Sequence, residues 1–308
     1  MKLTIFTPAY NRAELLKRLY ESLKRQTVKE FEWIIVDDAS SDNTETVASA
    51  FCDEENVFDV QYYRQEHGGK HRAINYALNK AKGEFFFIVD SDDYLADHAV
   101  ESILKWISGI EGNDSIAGVA GLRISQKGTV WGLNSNDEIA HLRGTFVDAT
   151  NFERNKYNLQ GDKAEVYRTD ILKKYKLPEF EGEYFVTEAV CWDAIAAAGY
   201  KLRWYYEPIY IGDYLEDGLT KNGANEMQGR INNYKGYCYF IRQSLEIAPI
   251  KERMVRFRAF NKTRKAMKRS MSDAAQDLNV TFLQYLFNLC IVMPVVYLIR
   301  MIDKVISA

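Results

Sequence analysis

The stretch Phe85-Phe86-Phe87-Ile88-Val89-Asp90-Ser91-Asp92-Asp93 joins five consecutive apolar residues to a short run of acids. A continuous apolar run of this length is typical of a strand buried on both faces, and here the acids follow its carboxyl end. Residues 33–38, Trp-Ile-Ile-Val-Asp-Asp, show the same pattern earlier in the chain. Because ligands of parallel α/β sheets bind just beyond the carboxyl ends of the strands, both acidic pairs are expected at one crevice.

Helical periodicity separates these apolar strands. Leucines recur at helical spacing after a first strand at 3–6, and Asn11 is placed to cap the helix that they predict. Further strands are predicted at 60–64, 116–122, 164–167 and 202–206, and further helices at 43–51, 74–81 (ending at Gly83), 189–198 and from 224 onward. Apolar strands that alternate with helices favour an α/β fold with a mostly parallel central sheet covered on both faces.

Carboxylates gathered at one crevice repel one another unless a cation joins them. Hard oxygen ligands at Asp-x-Asp spacing suit Mg²⁺ or Mn²⁺ carried on a substrate diphosphate. The alternative is that these acids form turns and cap helices, as Asp and Ser often do at strand–helix junctions. Acidic pairs at the ends of both strands, with Asp-x-Asp spacing in the second, favour the metal site.

Four motifs follow one another along the chain: residues 7–12 (TPAYNR), 36–44 (VDDASSDNT), 68–70 (GGK) and 90–93 (DSDD). In their order and spacing they resemble the family 2 inverting glycosyltransferases, which have a GT-A fold and include bacterial surface-polysaccharide enzymes. A weaker match continues through 161–163, 182–183, 187–188 and 215–220. The resemblance implies a Rossmann-like GT-A domain and a hexosyltransferase-type enzyme that moves a sugar from a nucleotide sugar, typically a UDP-sugar, to an acceptor hydroxyl.

The resemblance also implies which residues bind the nucleotide. Pro8, Tyr10 and Arg12 would line the nucleotide pocket after the first strand. Asp38 would accept a hydrogen bond from the base, typically uracil, and Lys70 would lie beside the nucleotide or the diphosphate.

The resemblance further implies that the acidic run at 90–93 binds the rest of the donor. Asp90 would meet the ribose, and Ser91 would lie in the donor site beside it. Asp92 would bind Mn²⁺ or Mg²⁺ on the donor diphosphate, where a divalent ion stabilises the charge of the leaving group. Asp93 would be a supporting or helix-capping residue.

The family's general base is a carboxylate in an acidic pair at the start of a helix in the second half of the chain. The corresponding stretch, 187–193 (TEAVCWD), keeps Glu188 but has Ala189 where many relatives carry a second acid. Glu188 is therefore the predicted base, with Asp193 the second candidate. The alternative for Glu188 is a first-turn acid that is favoured by the helix dipole.

Positive charge is concentrated near the carboxyl end of the chain. Residues 251–270 carry a local balance of +8 in a chain of net charge −3. Nucleic acid is therefore not an expected partner, because its binding needs such charge beside the reading surface. The apolar run at 282–299 is interrupted by polar residues and a proline, which disfavours a membrane-spanning helix. A helix that lies in the membrane interface fits this composition better, so 251–306 is expected to contact a membrane surface. The alternative is an apolar helix packed on the body or on a second subunit.

The chain is thus predicted to have three parts. They are a nucleotide-sugar-binding half at 1–110, an acceptor-binding half at 111–222 for a glycan or lipid-linked acceptor, and a helical extension at 223–308. The four cysteines are scattered, and no secretory signal is expected. Both features predict a cytoplasmic protein, which is expected to be peripheral at the inner face of the membrane.

Two other functions stay open at the level of sequence. One is a nucleotidyltransferase, although residues 7–12 lack the glycine-rich basic loop that such an enzyme usually carries after its first strand. The other is a catalytically silent scaffold subunit that binds a nucleotide sugar, which Ala189 and the basic, apolar end of the chain favour.

Overall fold

A computed structural model describes residues 1–55, 57–133, 135–212, 223–292 and 294. Nine strands within these ranges form a single sheet. They are β1 (Leu3–Ala9), β2 (Phe31–Asp37), β3 (Asp59–Arg64), β4 (Phe85–Ile88), β5 (Tyr94–Leu95), β6 (Ile116–Ile124), β7 (Phe146–Ala149), β8 (Lys163–Arg168) and β9 (Lys201–Ile211). Their order is β3-β2-β1-β4-β8-β6-β9-β5, and β7 also pairs with β9.

The first four strands of the sheet order are parallel, as the sequence predicts. β1 lies between β2 and β4 and runs parallel to both, and β3 extends this half of the sheet. Every residue of β2 is buried, as expected of a strand covered on both faces. Beyond β4 the direction changes, because β8 is antiparallel to both β4 and β6.

Helices connect the strands and make up the later part of the chain. Those described are α1 (Ala13–Lys24), α2 (Thr44–Asp53), α3 (Lys70–Lys80), α4 (Ala99–Ser108), α5 (Asp137–Ala140), α6 (Thr169–Lys174), α7 (Ala189–Ala197), α8 (Gly223–Asn232), α9 (Tyr234–Ile247), α10 (Ile250–Ala266), α11 (Met271–Asp277) and α12 (Phe282–Phe287).

Two compact units divide the chain. The first comprises Met1–Leu177 and Ala194–Leu215, and the second comprises Pro178–Asp193 and Glu216–Ala308. The first has a core of aliphatic and aromatic side chains, in which Tyr20 stacks on Phe51 with ring centroids 4.0 Å apart. The second has its own core around the buried rings of Phe257 and Phe260.

The predicted helix cap at Asn11 is wrong. Asn11 has a left-handed backbone with φ of 53°, and the cap position of α1 falls on Arg12. The Asn11 Oδ1 atom instead accepts the backbone N–H of Ser41 at 2.8 Å, in the segment that follows β2. The first N–H of α1, at Ala13, is satisfied by the Asp42 carboxylate at 3.3 Å. Short polar side chains commonly bond to nearby loops as well as to helix ends, which is why spacing alone misassigned this one.

Gly83 does not end α3, since the helix stops at Lys80. A Cβ atom at Gly83 would lie 2.4 Å from the backbone nitrogen of Thr4, so the glycine instead permits close approach to β1.

The sequence interpretation of the carboxyl end is only partly covered by the structure. Of the apolar run at 282–299, α12 and a π-helical turn over Asn288–Val292 are described. Residues 293 and 295–308, and residues 213–222, which include the weak match at 215–220, lie outside the described residues. In the described ranges, no helix combines the length and apolar character that crossing a bilayer requires.

Candidate active site

The two acids that follow β2 have different surroundings. Asp37 is fully buried. Its Oδ1 atom accepts the backbone N–H of Ser40 at 2.8 Å, and its Oδ2 atom accepts the hydroxyl of Tyr62 at 2.8 Å. Arg64 also reaches Oδ2 at 3.4 Å. Asp37 therefore fixes the turn after β2 and joins it to β3, and its carboxylate is occupied by the protein itself.

Asp38 organises the turn that leads into α3. Its Oδ1 atom accepts the backbone N–H of Gly68 and the side-chain amide of Gln65, both at 2.7 Å. Its Oδ2 atom accepts the backbone N–H of Gly69 at 2.8 Å and lies 2.9 Å from His67 Nδ1. A carboxylate offers about four lone-pair positions, and all are used here. A base that bonds to Asp38 would have to replace one of these partners, and its binding by Asp38 stays a prediction.

The residues that follow β1 lie beside this turn. Pro8 is the last but one residue of β1. The pairing of β1 with β4 ends at Phe6 and Ile88, so the N–H that proline lacks costs no hydrogen bond to β4. Tyr10 is 47% exposed and stacks on His67, with ring centroids 4.8 Å apart. Arg12 is tied to the same region, because its backbone N–H donates to the Thr44 hydroxyl at 2.9 Å. The structure thus places Pro8, Tyr10 and Arg12 in one neighbourhood with Asp38.

Lys70 and Asp90, assigned to the donor site from different segments, form an ion pair. Lys70 is the first residue of α3, and its Nζ atom lies 2.7 Å from Asp90 Oδ1. Burial by itself raises the pKa of Asp90, but the charge and hydrogen bond of Lys70, with a smaller contribution from Arg123, hold that pKa below its ordinary value. The carboxylate is therefore charged at neutral pH and held at the edge of the sheet.

Asp93 and Asp90 are linked through a residue of β9. The Tyr210 hydroxyl accepts the backbone N–H of Asp90 at 2.9 Å and donates to Asp93 Oδ2 at 2.8 Å. Arg123, at the end of β6, donates to the same Oδ2 atom at 2.8 Å and stacks over the Trp131 ring at 3.8 Å. Asp93 is fully buried, and burial raises its pKa to about 7 even though Arg123 opposes the shift.

Asp92 differs from the other acids of this edge. Its backbone carbonyl accepts from Arg18, but within the described part of the chain no group hydrogen-bonds to its carboxylate. The side chain is half-buried, whereas that of Ser91 beside it is buried. Asp92 is therefore the acid of the run whose oxygens are available to a ligand or a cation.

The expectation that a divalent cation joins acids at this edge of the sheet stays a prediction. Among the described residues, no three His, Cys, Asp or Glu side chains are placed to hold a metal ion. Lys70, Arg64 and Arg123 already neutralise the neighbouring carboxylates. The remaining donor, Asp92, still fits a divalent ion that takes one or two carboxylates and completes its shell with water and a substrate phosphate.

The predicted general base lies in the second unit. Glu188 directly precedes α7, and its carbonyl oxygen accepts the backbone N–H groups of Cys191 at 2.9 Å and Trp192 at 3.1 Å. Its side chain is half-buried. Asp193 is 1% exposed and forms an ion pair with Arg256, which also donates to Ser244 at 2.9 Å. Because Asp193 is buried and paired in this way, its role is structural. Glu188 is therefore the remaining acid at the start of α7.

Hydrogen bonds between residues 183–185 and residues 233–236 form a clasp at the start of α9, and this clasp includes Glu183 of the weaker sequence match at 182–183. The Glu183 carboxylate accepts the backbone N–H groups of Lys235 at 2.6 Å and Gly236 at 2.8 Å. In return, Asn233 Oδ1 accepts those of Tyr184 at 2.8 Å and Phe185 at 2.9 Å. These bonds fix the segment that runs towards Glu188 and leave Tyr184 and Phe185 exposed.

Sequence reasoning missed several residues of this site. The stacking of His67 on Tyr10 has no signal in local spacing. Arg123 directly follows the predicted strand at 116–122, so its position at a strand end was the available signal. Tyr210 lies 117 residues from Asp93, and nothing local links the two.

The fold is the α/β fold of GT-A glycosyltransferases, as predicted, with helices at its carboxyl end. Solved structures share this fold. TarS of S. aureus (residues 1–349) has a TM-score of 0.55 at 19% identity over 94% of this chain and 73% of that chain. The mannosyltransferase PcManGT of Pyrobaculum calidifontis, solved with GDP-Man and Mn²⁺, has a TM-score of 0.53 at 16% identity over 100% of this chain and 81% of that chain.

The chain belongs to glycosyl transferase family 2, whose sequence profile matches residues 4–176. The glycosyltransferase GlyG of Streptococcus pneumoniae is 32% identical over 34% of this chain and 35% of its own length. The match thus spans about a third of that relative. A GalNAc(5)-diNAcBac-PP-undecaprenol beta-1,3-glucosyltransferase of Campylobacter jejuni is 27% identical over 83% of this chain and 75% of its own length.

Proposed function

We propose that this protein is an inverting glycosyltransferase that transfers a sugar from a UDP-sugar to an acceptor hydroxyl, with Mn²⁺ or Mg²⁺ on the donor diphosphate. The observation that carries the proposal is the edge of the sheet at Asp90, Ser91 and Asp92. There Asp90 is held by Lys70, while the Asp92 carboxylate has no hydrogen-bond partner in the described ranges. A divalent ion on Asp92 would stabilise the charge that develops on the departing nucleoside diphosphate.

Nucleotide recognition is assigned to the turn after β2 and the residues after β1. Tyr10 offers an exposed ring, and Pro8 and Arg12 complete the neighbourhood. Asp38 would accept an N–H of the base in place of one of its present partners, such as the Gln65 side-chain amide. TarS, a structural neighbour, has been solved with UDP-GlcNAc, which supports UDP as the nucleotide. Asp90 would meet the ribose, and Lys70 would lie beside the nucleotide or the diphosphate.

Glu188 is assigned as the general base. In an inverting transfer, the base takes the proton of the acceptor hydroxyl while the oxygen attacks the anomeric carbon opposite the leaving diphosphate. The C1–O bond to the acceptor forms as the bond to the diphosphate breaks, so one displacement inverts the anomeric centre. The buried ion pair of Asp193 with Arg256 supports Glu188 over Asp193 in this role.

A lipid-linked glycan is the proposed acceptor, bound through 111–222, while 1–110 holds the donor. The C. jejuni relative is named for an acceptor that carries PP-undecaprenol, which supports this class. An acceptor of this kind is held in a bilayer, so we propose that the protein is cytoplasmic and peripheral at the inner face of the membrane, with 223–308 as the part that approaches it.

The test is release of nucleoside diphosphate from a panel of nucleotide sugars, each incubated with the protein and Mn²⁺, with and without EDTA and a membrane-extracted lipid acceptor. We expect release from one donor that EDTA abolishes and the Glu188→Gln variant lowers at least a hundredfold. UDP binding with no release from any donor, even with lipid acceptor, would contradict the proposal and favour a silent scaffold, as Ala189 would allow.

A further inference from the structure

The basic residues at 251–270 separate into two sets. One set makes internal bonds in the second unit. Arg256 pairs with Asp193 and with Glu252 at 3.3 Å, and Arg269 pairs with Asp277 at 2.7 Å. Arg264 donates to the carbonyl of Arg269 at 2.6 Å. These arginines hold helices together, so much of the charge that the sequence concentrates here is used by the fold.

The other set lies on the outer face of α10. Arg258, Lys262 and Lys265 are exposed and follow one another at spacings of four and three residues, so they form one stripe along the helix. The opposite face carries Phe257 and Phe260, which are fully buried. Within the described ranges, no carboxylate lies at ion-pair distance from any of the three cations. Their charge is therefore directed at solvent.

An exposed apolar helix face borders this stripe. α12 is attached to α10 through Tyr285, which is fully buried, donates to the Asn261 side chain and packs edge-on against Phe257 at 5.2 Å. Asn261 lies on α10 between Arg258, three residues before it, and Lys265, four residues after it, so the stripe runs past the attachment point.

The outer face of α12 is apolar. Leu283 is 77% exposed and Phe287 is 54% exposed, and their spacing of four residues places both on the side away from Tyr285. Two large apolar side chains at such exposure, beside a row of cations, form a surface that is both hydrophobic and basic. We call the five residues Arg258, Lys262, Lys265, Leu283 and Phe287 the α10–α12 surface.

We propose that the α10–α12 surface docks on an anionic lipid bilayer. The cations lie against the headgroups, each Lys or Arg near such a surface being worth about 1 kcal/mol, and Leu283 and Phe287 enter the interface. A second copy of the chain would bring like charges together, and a nucleic acid would leave the two apolar side chains exposed to water. The proposal is independent of the transfer reaction, and it gives the peripheral location proposed above a defined surface.

The test is co-sedimentation of the full chain with two kinds of vesicle. One is phosphatidylcholine alone, and the other is made anionic with about 30 mol% phosphatidylglycerol. We expect binding to the anionic vesicles only, weakened by salt. The triple variant Arg258→Gln, Lys262→Gln, Lys265→Gln is expected to bind about a hundredfold more weakly, and Leu283→Ser with Phe287→Ser at least tenfold more weakly.

The matched control removes three exposed cations elsewhere, Lys17→Gln, Lys156→Gln and Lys174→Gln, each of which has an acidic partner on its own turn of helix. The control has the same net charge as the triple variant and is expected to bind as the wild type does. Equal loss in the two triple variants, or binding of single-stranded DNA at the affinity seen for anionic vesicles, would overturn the proposal.

Discussion

At the scale of single residues, Asp38 connects the fold of the site to its chemistry. Removal of its side chain leaves the backbone N–H groups of Gly68 and Gly69 without their acceptors. We expect Asp38→Ala to lower the free energy of unfolding by about 2 kcal/mol, since each unsatisfied buried donor costs about 1 kcal/mol or more. The same change is expected to weaken UDP binding at least tenfold.

Urea unfolding and calorimetric titration with UDP measure the two effects. Gln65→Ala, which removes one neutral donor to the same carboxylate, is the matched control and is expected to change either quantity only slightly. Full UDP affinity in Asp38→Ala would contradict the assignment of Asp38 to the donor site.

Tyr210 provides a second prediction at this scale. Tyr210→Phe removes the hydroxyl that accepts from the Asp90 backbone and donates to Asp93. We expect kcat/KM for the donor to fall about tenfold, because Asp90 and Asp92 would lose a fixed backbone position.

The matched control is Tyr206→Phe, on the same strand, which removes a hydroxyl that donates only to the Tyr157 carbonyl. It should cost similar stability, about 1 kcal/mol, and leave kcat/KM unchanged. Equal kinetic effects of the two changes would show that Tyr210 has no special role.

Glu165 on β8 gives a pH dependence. Burial raises the pKa of its carboxyl to about 7, with Arg154 opposing the shift, from an ordinary value of 4.5. Between these values the folded chain keeps a proton that the unfolded chain has lost. The contribution of Glu165 to the free energy of unfolding is therefore full below pH 4.5 and is lost as the pH rises towards 7.

Urea unfolding at a series of pH values measures this contribution as the wild type minus Glu165→Gln. We expect the difference in the free energy of unfolding to fall by about 3 kcal/mol over that range and then to stay level. A difference that rises with pH would mean that the carboxylate is stabilised in the fold.

At the scale of elements, the clasp at α9 is the feature that local patterns could not predict. Residues 182–183 stood out in the sequence only as a family resemblance, and the structure shows that Glu183 satisfies two of the free N–H groups at the start of α9. The amides that Glu183 binds, at Lys235 and Gly236, lie 52 and 53 residues away. By contrast, the strands and helices of the first ninety residues follow from apolar runs and helical spacing, which are local properties.

We expect Glu183→Ala to lower the free energy of unfolding of the second unit by about 1–2 kcal/mol, as loss of a helix cap does. Hydrogen exchange at Lys235 and Gly236 should accelerate at the same time, because both amides lose their acceptor. Glu246→Ala, near the other end of α9 and exposed, is the control. Unchanged exchange at the two amides would contradict the clasp.

At the scale of the whole molecule, the sequence predicted the parallel half of the sheet well and the rest in outline. Apolar runs reveal a strand but not its direction, so the antiparallel insertion of β8 between β4 and β6 could not be derived. The acidic run at 90–93 was found because it is contiguous. Its neutralisation by Lys70 and Arg123 was not, because those two cations come from separate segments that only the fold brings together.

The central claim is that Asp92 holds a divalent ion on the diphosphate of a bound nucleotide. The most direct measurement is calorimetric titration of UDP with and without Mn²⁺ into the wild type, Asp92→Asn, and the exposed-acid control Asp114→Asn. We predict that Mn²⁺ tightens UDP binding at least tenfold in the wild type and the control but not in Asp92→Asn. Equal tightening in all three proteins, or no effect of Mn²⁺ on the wild type, would contradict the claim.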